Sequence, residues 1–343
     1  MPDEPVGSRL TAMLSTLPPK TKAPMTTTVL NNWITQAEGK LGTEAKAGRL
    51  GWLVASSVAI AAVQRALDID GRKLFLLKGG TLLQHRLDAT ARATKDVDGI
   101  VRGDLDEFFL ALESALTEPW GPLTLRRGEI AVVGVPTKLT KPRRFDIILE
   151  IRGATWRRIQ FEVSPDEAGI GDEFEAIEAL PLSGFGLPDP DSLVGIAMRF
   201  QIAQKLHAVS DLHEPPNAVN DRPRDVVDLL LIRDLVAATG SPTLPEIRAA
   251  AIAVFDARAR EARNLGLRPR SWPPTVASYP HWPNDYAKAA ASGALALSLD
   301  DAVAEVNTWI TAIDLSRSSA TTASPFRLTG SPDPGNPPTA HGA

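Results

Sequence analysis

Asp96 and Asp98, one residue apart in "KDVDGIV", follow a paired glycine, Gly79-Gly80, that closes the apolar run "LFLL". Side chains at i and i+2 of a strand share a face, so the two carboxylates project together. Held that close, they raise one another's pKa unless a cation stands between them. A hard divalent ion such as Mg²⁺ takes oxygen ligands from both and keeps positions for water and phosphate oxygens. The glycine turn suits the phosphates: glycine lets backbone approach closely, and the N-terminus of the helix that follows presents free N–H groups. Taken singly, an acid-x-acid pair is also what a solvated strand edge looks like, and Gly-Gly is also a plain tight turn.

Two-metal phosphoryl transfer needs a further carboxylate. Glu162 in "IQFEVS" is favoured, because Phe161 and Val163 would point into a core and leave it on the opposite face; Asp146 in "RFDIILEI" is the alternative. Lys205 shares a helical stripe with Ile202, Ala208 and Val209. It is either a snorkelling side chain or a phosphate ligand. Asp225 and Asp228 stand three apart on one helix face, with Pro223 suited to the first turn and Asp221 to the cap. Asp228 adjoins Leu229, Leu230 and Leu231 and so needs a cationic partner, with Lys205, Arg222 and Arg224 as candidates. From Ile130 to Phe145 there is no acidic residue, while Lys138, Lys141, Arg143 and Arg144 fall together and Arg126, Arg127, Arg157 and Arg158 adjoin. Such a stretch can grip a nucleic-acid backbone, or be a solvated basic loop, since no aromatic residues interleave to stack bases.

The elements that must position these groups follow from periodicity. Leu50 to Leu67 has helical spacing, "LFLL" reads as a buried strand, and "TLLQHRL" is helical again. "KDVDGIV" is a strand, and "DLDEFFLALESAL" a helix capped by Asp104. "EIAVVGV", "RRFDIILEI" and "RRIQFEVS" are strand candidates, the last two forming a hairpin across Arg152 to Thr155. From Asp191 on, "DSLVGIAMRFQIAQKLHAVS", "DVVDLLLIRDLVAA", "LPEIRAAAIAVFDARAREA" and "LDDAVAEVNTWITAI" are helices. The expected fold is α+β, a mixed-sheet core followed by a helical C-terminal domain. Its divisions are a flexible leader at 1–25, the α+β domain at 26–188, the helical domain at 189–316 and a disordered tail at 317–343, with the boundary near Pro188 to Pro190.

Composition narrows the class. The 343 residues carry 37 Lys and Arg against 41 Asp and Glu, so any polyanion partner must be met by local charge. The absence of cysteine excludes disulfides, thiolate metal sites and a cysteine nucleophile. His85, His207, His213, His281 and His341 are scattered without zinc-ligand spacing. "WLVASSVAIAAV" is too short to span a bilayer and the first residues lack a signal-peptide core, so a cytoplasmic protein without a membrane partner is expected.

Taken in order, "LLKGGTLLQHRLDATARATKDVDGIV", "FEVS", "FQIAQKLHAVSD" and "NDRPRDVVDLLLI" resemble the bacterial AbiEii-type nucleotidyltransferase toxin family, within the polymerase-β-like superfamily, from about Arg49 to about Ile313. The resemblance implies a mixed sheet bearing the metal site and a helical half closing over the nucleotide. It implies Gly80 and Thr81 at the phosphate turn, Asp96 and Asp98 as Mg²⁺ ligands, Lys78 and Lys205 toward phosphates, and Asp225 as the last motif's acid. It further implies an NTP substrate, a cognate antitoxin and, for some members, transfer to the 3′ end of tRNA. Thr81, Arg224 and Glu162 stand where serine, lysine and aspartate are common, and none of these changes removes a needed group. The expectation is therefore Mg²⁺- or Mn²⁺-dependent nucleotidyl transfer to RNA. Asp96, Asp98 and Glu162 would hold the metal, and Lys78, Gly79, Gly80, Thr81, Lys205 and Asp228 would bind nucleotide. Asp225 and Lys205 would assist catalysis, and Lys138, Lys141, Arg143 and Arg144 would guide RNA. The rivals are a small-molecule nucleotidyltransferase and a non-catalytic binding protein of the same fold.

Overall fold

The computed structural model describes residues 9–41, 49–87, 94–216 and 218–316. Residues 1–8 of the expected leader, the expected tail at 317–343 and residues 88–93 of the first motif lie outside the described residues. The chain opens with helices α1 (Arg9–Ser15), α2 (Thr27–Leu41) and α3 (Arg49–Val63). Then come β1 (Phe75–Lys78), α4 (Gly79–Leu87), β2 (Asp96–Val101) and α5 (Leu105–Leu116). Six further strands follow: β3 (Leu123–Arg127), β4 (Ala131–Val132), β5 (Arg143–Ile151), β6 (Ala154–Pro165), β7 (Phe174–Ile177) and β8 (Leu193–Ile196). Helices α6 (Met198–Val209), α7 (Pro223–Thr239), α8 (Leu244–Asn264), α9 (Pro283–Ser292) and α10 (Leu299–Leu315) complete it.

The strands form one mixed sheet in the order β3-β5-β6-β2-β1-β8-β7, with β4 on β5. Two pairings, β2 with β6 and β1 with β8, are parallel; the others are antiparallel. Alternation along β2 divides its side chains: Val97, Gly99 and Val101 lie on one face, Asp96 and Asp98 on the other. On the helix-covered face, Phe75, Phe108, Phe109, Phe145 and Phe161 form a chain of ring contacts with centroids 5.2–6.5 Å apart. Gly99 admits the Phe75 ring, which a Cβ there would meet at 2.0 Å.

Two hydrophobic cores result. The first joins the sheet to the N-terminal helices and also takes Ala250, Ala251 and Val254 of α8. The second lies among α6 to α10 and takes Leu83 and Leu87 of α4. Each half therefore contributes apolar side chains to the other's core, which sets the helical half firmly beside the open sheet face.

Four expectations differ from the observed structure. The opening of "DSLVGIAMRF" is strand β8, buried throughout and paired with β1, rather than helix. An apolar run that short has no periodicity to separate strand from helix. The sheet thus extends to Ile196, beyond the boundary expected near Pro188 to Pro190. Within the leader, α1 buries Leu10 and Leu14 against the main core, so residues 9–25 include packed structure. "EIAVVGV" supplies only the two-residue β4. Strands β3 and β7 and helix α9 carried too weak a pattern to be expected. Asp104 does cap α5, its side chain accepting from the N–H groups of Asp106 and Glu107.

Candidate active site

The open sheet face lines up a row of charges. Strand register places Lys78 of β1, Asp98 of β2, Glu162 of β6 and Arg144 of β5 side by side. The next row holds Asp96, Gln160 and Asp146. Glu162 therefore stands directly beside Asp98, whereas Asp146 is separated from Asp96 by a strand. Helices α6, α7 and α8 rise from this floor and enclose a cleft of about 1080 Å³, lined by Lys78, Gly80, Asp98, Glu162, Lys205 and Arg258 among others. Asp96 is exposed and does not line it.

Asp98 is an acid with a strongly shifted pKa. Burial pushes its pKa up to about 6; Lys78 and Lys205 pull the other way, while Glu162 and Asp96 add to the rise. Lys78 hydrogen-bonds through Nζ to Ser164 Oγ at 2.6 Å. Its pKa is lowered by burial, with Glu167 and Asp98 partly restoring it. A raised carboxylate flanked by two more is an all-oxygen donor set that suits Mg²⁺ or Mn²⁺, and such an ion would relieve the repulsion. Among the described residues, however, no three acidic or histidine side chains stand close enough to hold a metal as they are. Glu162 is drawn to Arg144, at 2.8 Å, and would have to turn from it.

The glycine turn works differently from expectation. Gly79 adopts φ +69°, and a Cβ there would sit 2.4 Å from Asp98 Oδ2, so glycine is required for the carboxylate to pack on the turn. Its N–H donates to Gln201 Oε1 at 3.0 Å, and Gln201 Nε2 donates to its carbonyl at 2.9 Å. That N–H is thus engaged internally, and Gly80 opens α4 on the cleft. Thr81 is fully buried and donates to the carbonyl oxygen of Asp96 at 2.7 Å, pinning β2 to α4 rather than presenting a hydroxyl to phosphate.

Lys205 does not snorkel. It is buried, with Nζ 2.7 Å from Asp225 Oδ1 and 2.7 Å from Asp228 Oδ2. The cation that Asp228 requires is therefore Lys205, while Arg222 and Arg224 are exposed. Pro223 occupies the first turn of α7 as expected, but the cap residue is Arg222, without a side-chain cap, rather than Asp221.

The basic stretch is engaged within the fold. Lys138 pairs with Glu167 at 2.7 Å and Glu261 at 3.1 Å. Lys141 Nζ donates to the carbonyls of Val135 and Lys138, both at 2.6 Å, and Arg143 donates to that of Lys141 at 3.0 Å. Lys138, Lys141 and Arg143 thus brace the β4–β5 loop, while Arg144 pairs across the sheet with Glu162.

Several site residues escaped the sequence reading. Glu167 accepts from Lys138, Gln204 and Arg258. Against the burial that would raise its pKa, Arg258 and Lys138 hold it well below the usual carboxylate range. Burial, with Arg258 and Arg270 beside it, pushes His207 strongly down, so the neutral ring accepts through Nδ1 from both guanidiniums, at 3.0 and 2.8 Å. One signal was available: Gln201 precedes Lys205 by four residues and so shares its helix face.

Comparison with known proteins places this geometry. The family model for the nucleotidyl transferase AbiEii toxin of type IV toxin-antitoxin systems matches residues 62–306, which include the sheet row, the glycine turn and the Lys205 triad. The class is thus that of the nucleotidyltransferase toxins. The chain belongs to the AbiEii family, whose type IV systems pair each toxin with a cognate antitoxin. Among solved structures it is similar to the nucleotidyltransferase toxin MenT4 of Mycobacterium tuberculosis H37Rv, at 16% identity and a TM-score of 0.41 over 84% of this chain and 99% of that one. No curated protein matches significantly. Among the described residues no helix is long and apolar enough to cross a membrane.

Proposed function

We propose that this toxin transfers a nucleoside monophosphate from an NTP to an RNA hydroxyl in the cytoplasm, with the 3′ end of tRNA as acceptor. The observation that carries this is the row Lys78-Asp98-Glu162-Arg144 at the floor of a cleft large enough for a nucleotide and a second substrate. Asp96, Asp98 and Glu162 would hold Mg²⁺ or Mn²⁺, which supplies charge neutralisation at the phosphates and acceptor oxygen. Lys78 and the N-terminus of α4 at Gly80 face the triphosphate. Gln201 and Thr81 keep the turn and β2 in place beneath it. Lys205, held between Asp225 and Asp228, joins α6 to α7 and fixes the opposite wall. The chain's own contribution is positioning and preorganised charge.

The direct test is incubation of purified protein with Mg²⁺, total RNA and each α-labelled NTP in turn. Label should enter a tRNA-sized band, and Asp98→Asn should remove it. Label on a small molecule instead would overturn the RNA acceptor, and unchanged labelling or growth inhibition by Asp96→Ala would overturn the metal-dependent chemistry.

A further inference from the structure

The cations expected to guide RNA are held within the fold, yet the cleft has another basic wall. Residues 258–270, the end of α8 and the segment after it, contain Arg258, Arg260, Arg263, Arg268 and Arg270 against a single acid, Glu261. Arg258 and Arg270 turn inward onto Glu167, His207 and Asp211. Arg260 and Arg268 remain exposed and line the cleft, together with Arg222 from the start of α7. Among the described residues Arg222 and Arg260 have no ion pair. Arg268 has only a loose one, 3.8 Å from Glu214, with both side chains largely in water; such a pair contributes almost nothing.

We propose that the RNA strand enters the cleft along this helical wall, with successive phosphates against Arg222, Arg260 and Arg268. The proposal rests on the reading that the acceptor is RNA. A triphosphate is a compact anion already met at the sheet floor by Lys78 and Gly80. Guanidiniums spread over separate elements of the other wall instead match the repeated charge of a phosphodiester chain. Arginine suits that contact, because its planar fork can bond a phosphate with two N–H groups and can also stack on a base.

The test is binding of a fluorescein-labelled single-stranded RNA of twelve nucleotides, followed by anisotropy across a KCl series. The full chain is compared with R222Q/R260Q/R268Q. For single strands each neutralised phosphate contributes about 0.7 to the slope of log K against log salt, so the triple variant should lose about 2 from that slope and bind about 100-fold more weakly near 0.1 M salt. K40Q/R152Q/K288Q, three exposed cations outside the cleft lining, should leave the slope unchanged. If the triple variant fails to fold by circular dichroism, the three single variants should each lower the slope by about 0.7. An unchanged slope overturns the proposal. So does an unchanged RNA slope accompanied by lost binding of polyglutamate, which would assign the wall to an acidic protein. Transfer assays separate this from the function itself. If wild type labels RNA and the triple variant does so with the same KM for RNA, this surface alone is wrong; if wild type labels no RNA, the acceptor reading is wrong.

Discussion

Asp98→Asn should separate stability from activity. In the folded chain the Asp98 pKa rises from 3.8 to about 6 through burial and the nearby acids Glu162 and Asp96. The folded state therefore holds this proton more tightly than the unfolded chain, and stability is lost as pH rises through the interval from about 4 to about 6. A shift of about two units corresponds to about 3 kcal/mol near neutral pH. Because the carboxylate faces an open cleft, screening reduces this to about 1–2 kcal/mol. Asparagine removes the charge at nearly constant size. In EDTA at pH 7.5, urea unfolding should show the variant more stable by about 1–2 kcal/mol, while nucleotidyl transfer in Mg²⁺ falls below detection. At pH 4 the two proteins should unfold at nearly the same urea concentration, because Asp98 is then protonated in the native wild type. A variant that is less stable at pH 7.5, or whose advantage does not change between the two pH values, would refute the claim that burial makes the Asp98 carboxylate costly to ionise in the folded chain.

Three further outcomes follow from the same geometry. Gly79→Ala forces a Cβ onto Asp98 Oδ2 at a positive φ, so it should cost about 1–3 kcal/mol in thermal or urea unfolding and abolish transfer; a stable, active variant would remove the packing argument. Lys205→Met leaves Asp225 and Asp228 buried without their cation and should cost about 3–5 kcal/mol, partly recovered when Asp228→Asn is added; no recovery would show that the triad is not electrostatically coupled. Since Asp98 must lose its proton to ligate a cation, the apparent affinity for Mg²⁺, followed by transfer rate against Mg²⁺ concentration, should weaken about tenfold per pH unit below about 6 and level off above it; a flat profile from pH 5 to 8 would exclude Asp98 as a ligand.

Which parts were legible in the sequence depended on the range of the interaction involved. Asp96 and Asp98 share a face because a strand repeats every two residues, and Asp225 and Asp228 because a helix repeats every 3.6. Both placements could be read from spacing and both hold. The engagement of Thr81, Lys138 and Lys141 could not be read, since each is bound by a carbonyl or carboxylate remote in sequence or in a loop without periodicity. Strand β8 was taken for helix because four apolar residues satisfy either pattern, and its pairing with β1 decides the matter.

By itself, then, the chain's sequence determined the elements that bear the chemistry, the faces on which their acids project, and membership in a nucleotidyltransferase toxin family. Tertiary structure alone decided the partners. Register across β1, β2, β6 and β5 chose Glu162 over Asp146 as the neighbour of Asp98. Docking of α6 against α7 closed Lys205 between two aspartates, and the placement of α8 left its terminal arginines exposed on the cleft while the β4–β5 loop engaged its own cations. The physical reason is that periodicity is a local property of the backbone. The neighbour that a charge finds depends instead on strand order, on helix docking and on the cost of leaving an ion buried without a partner.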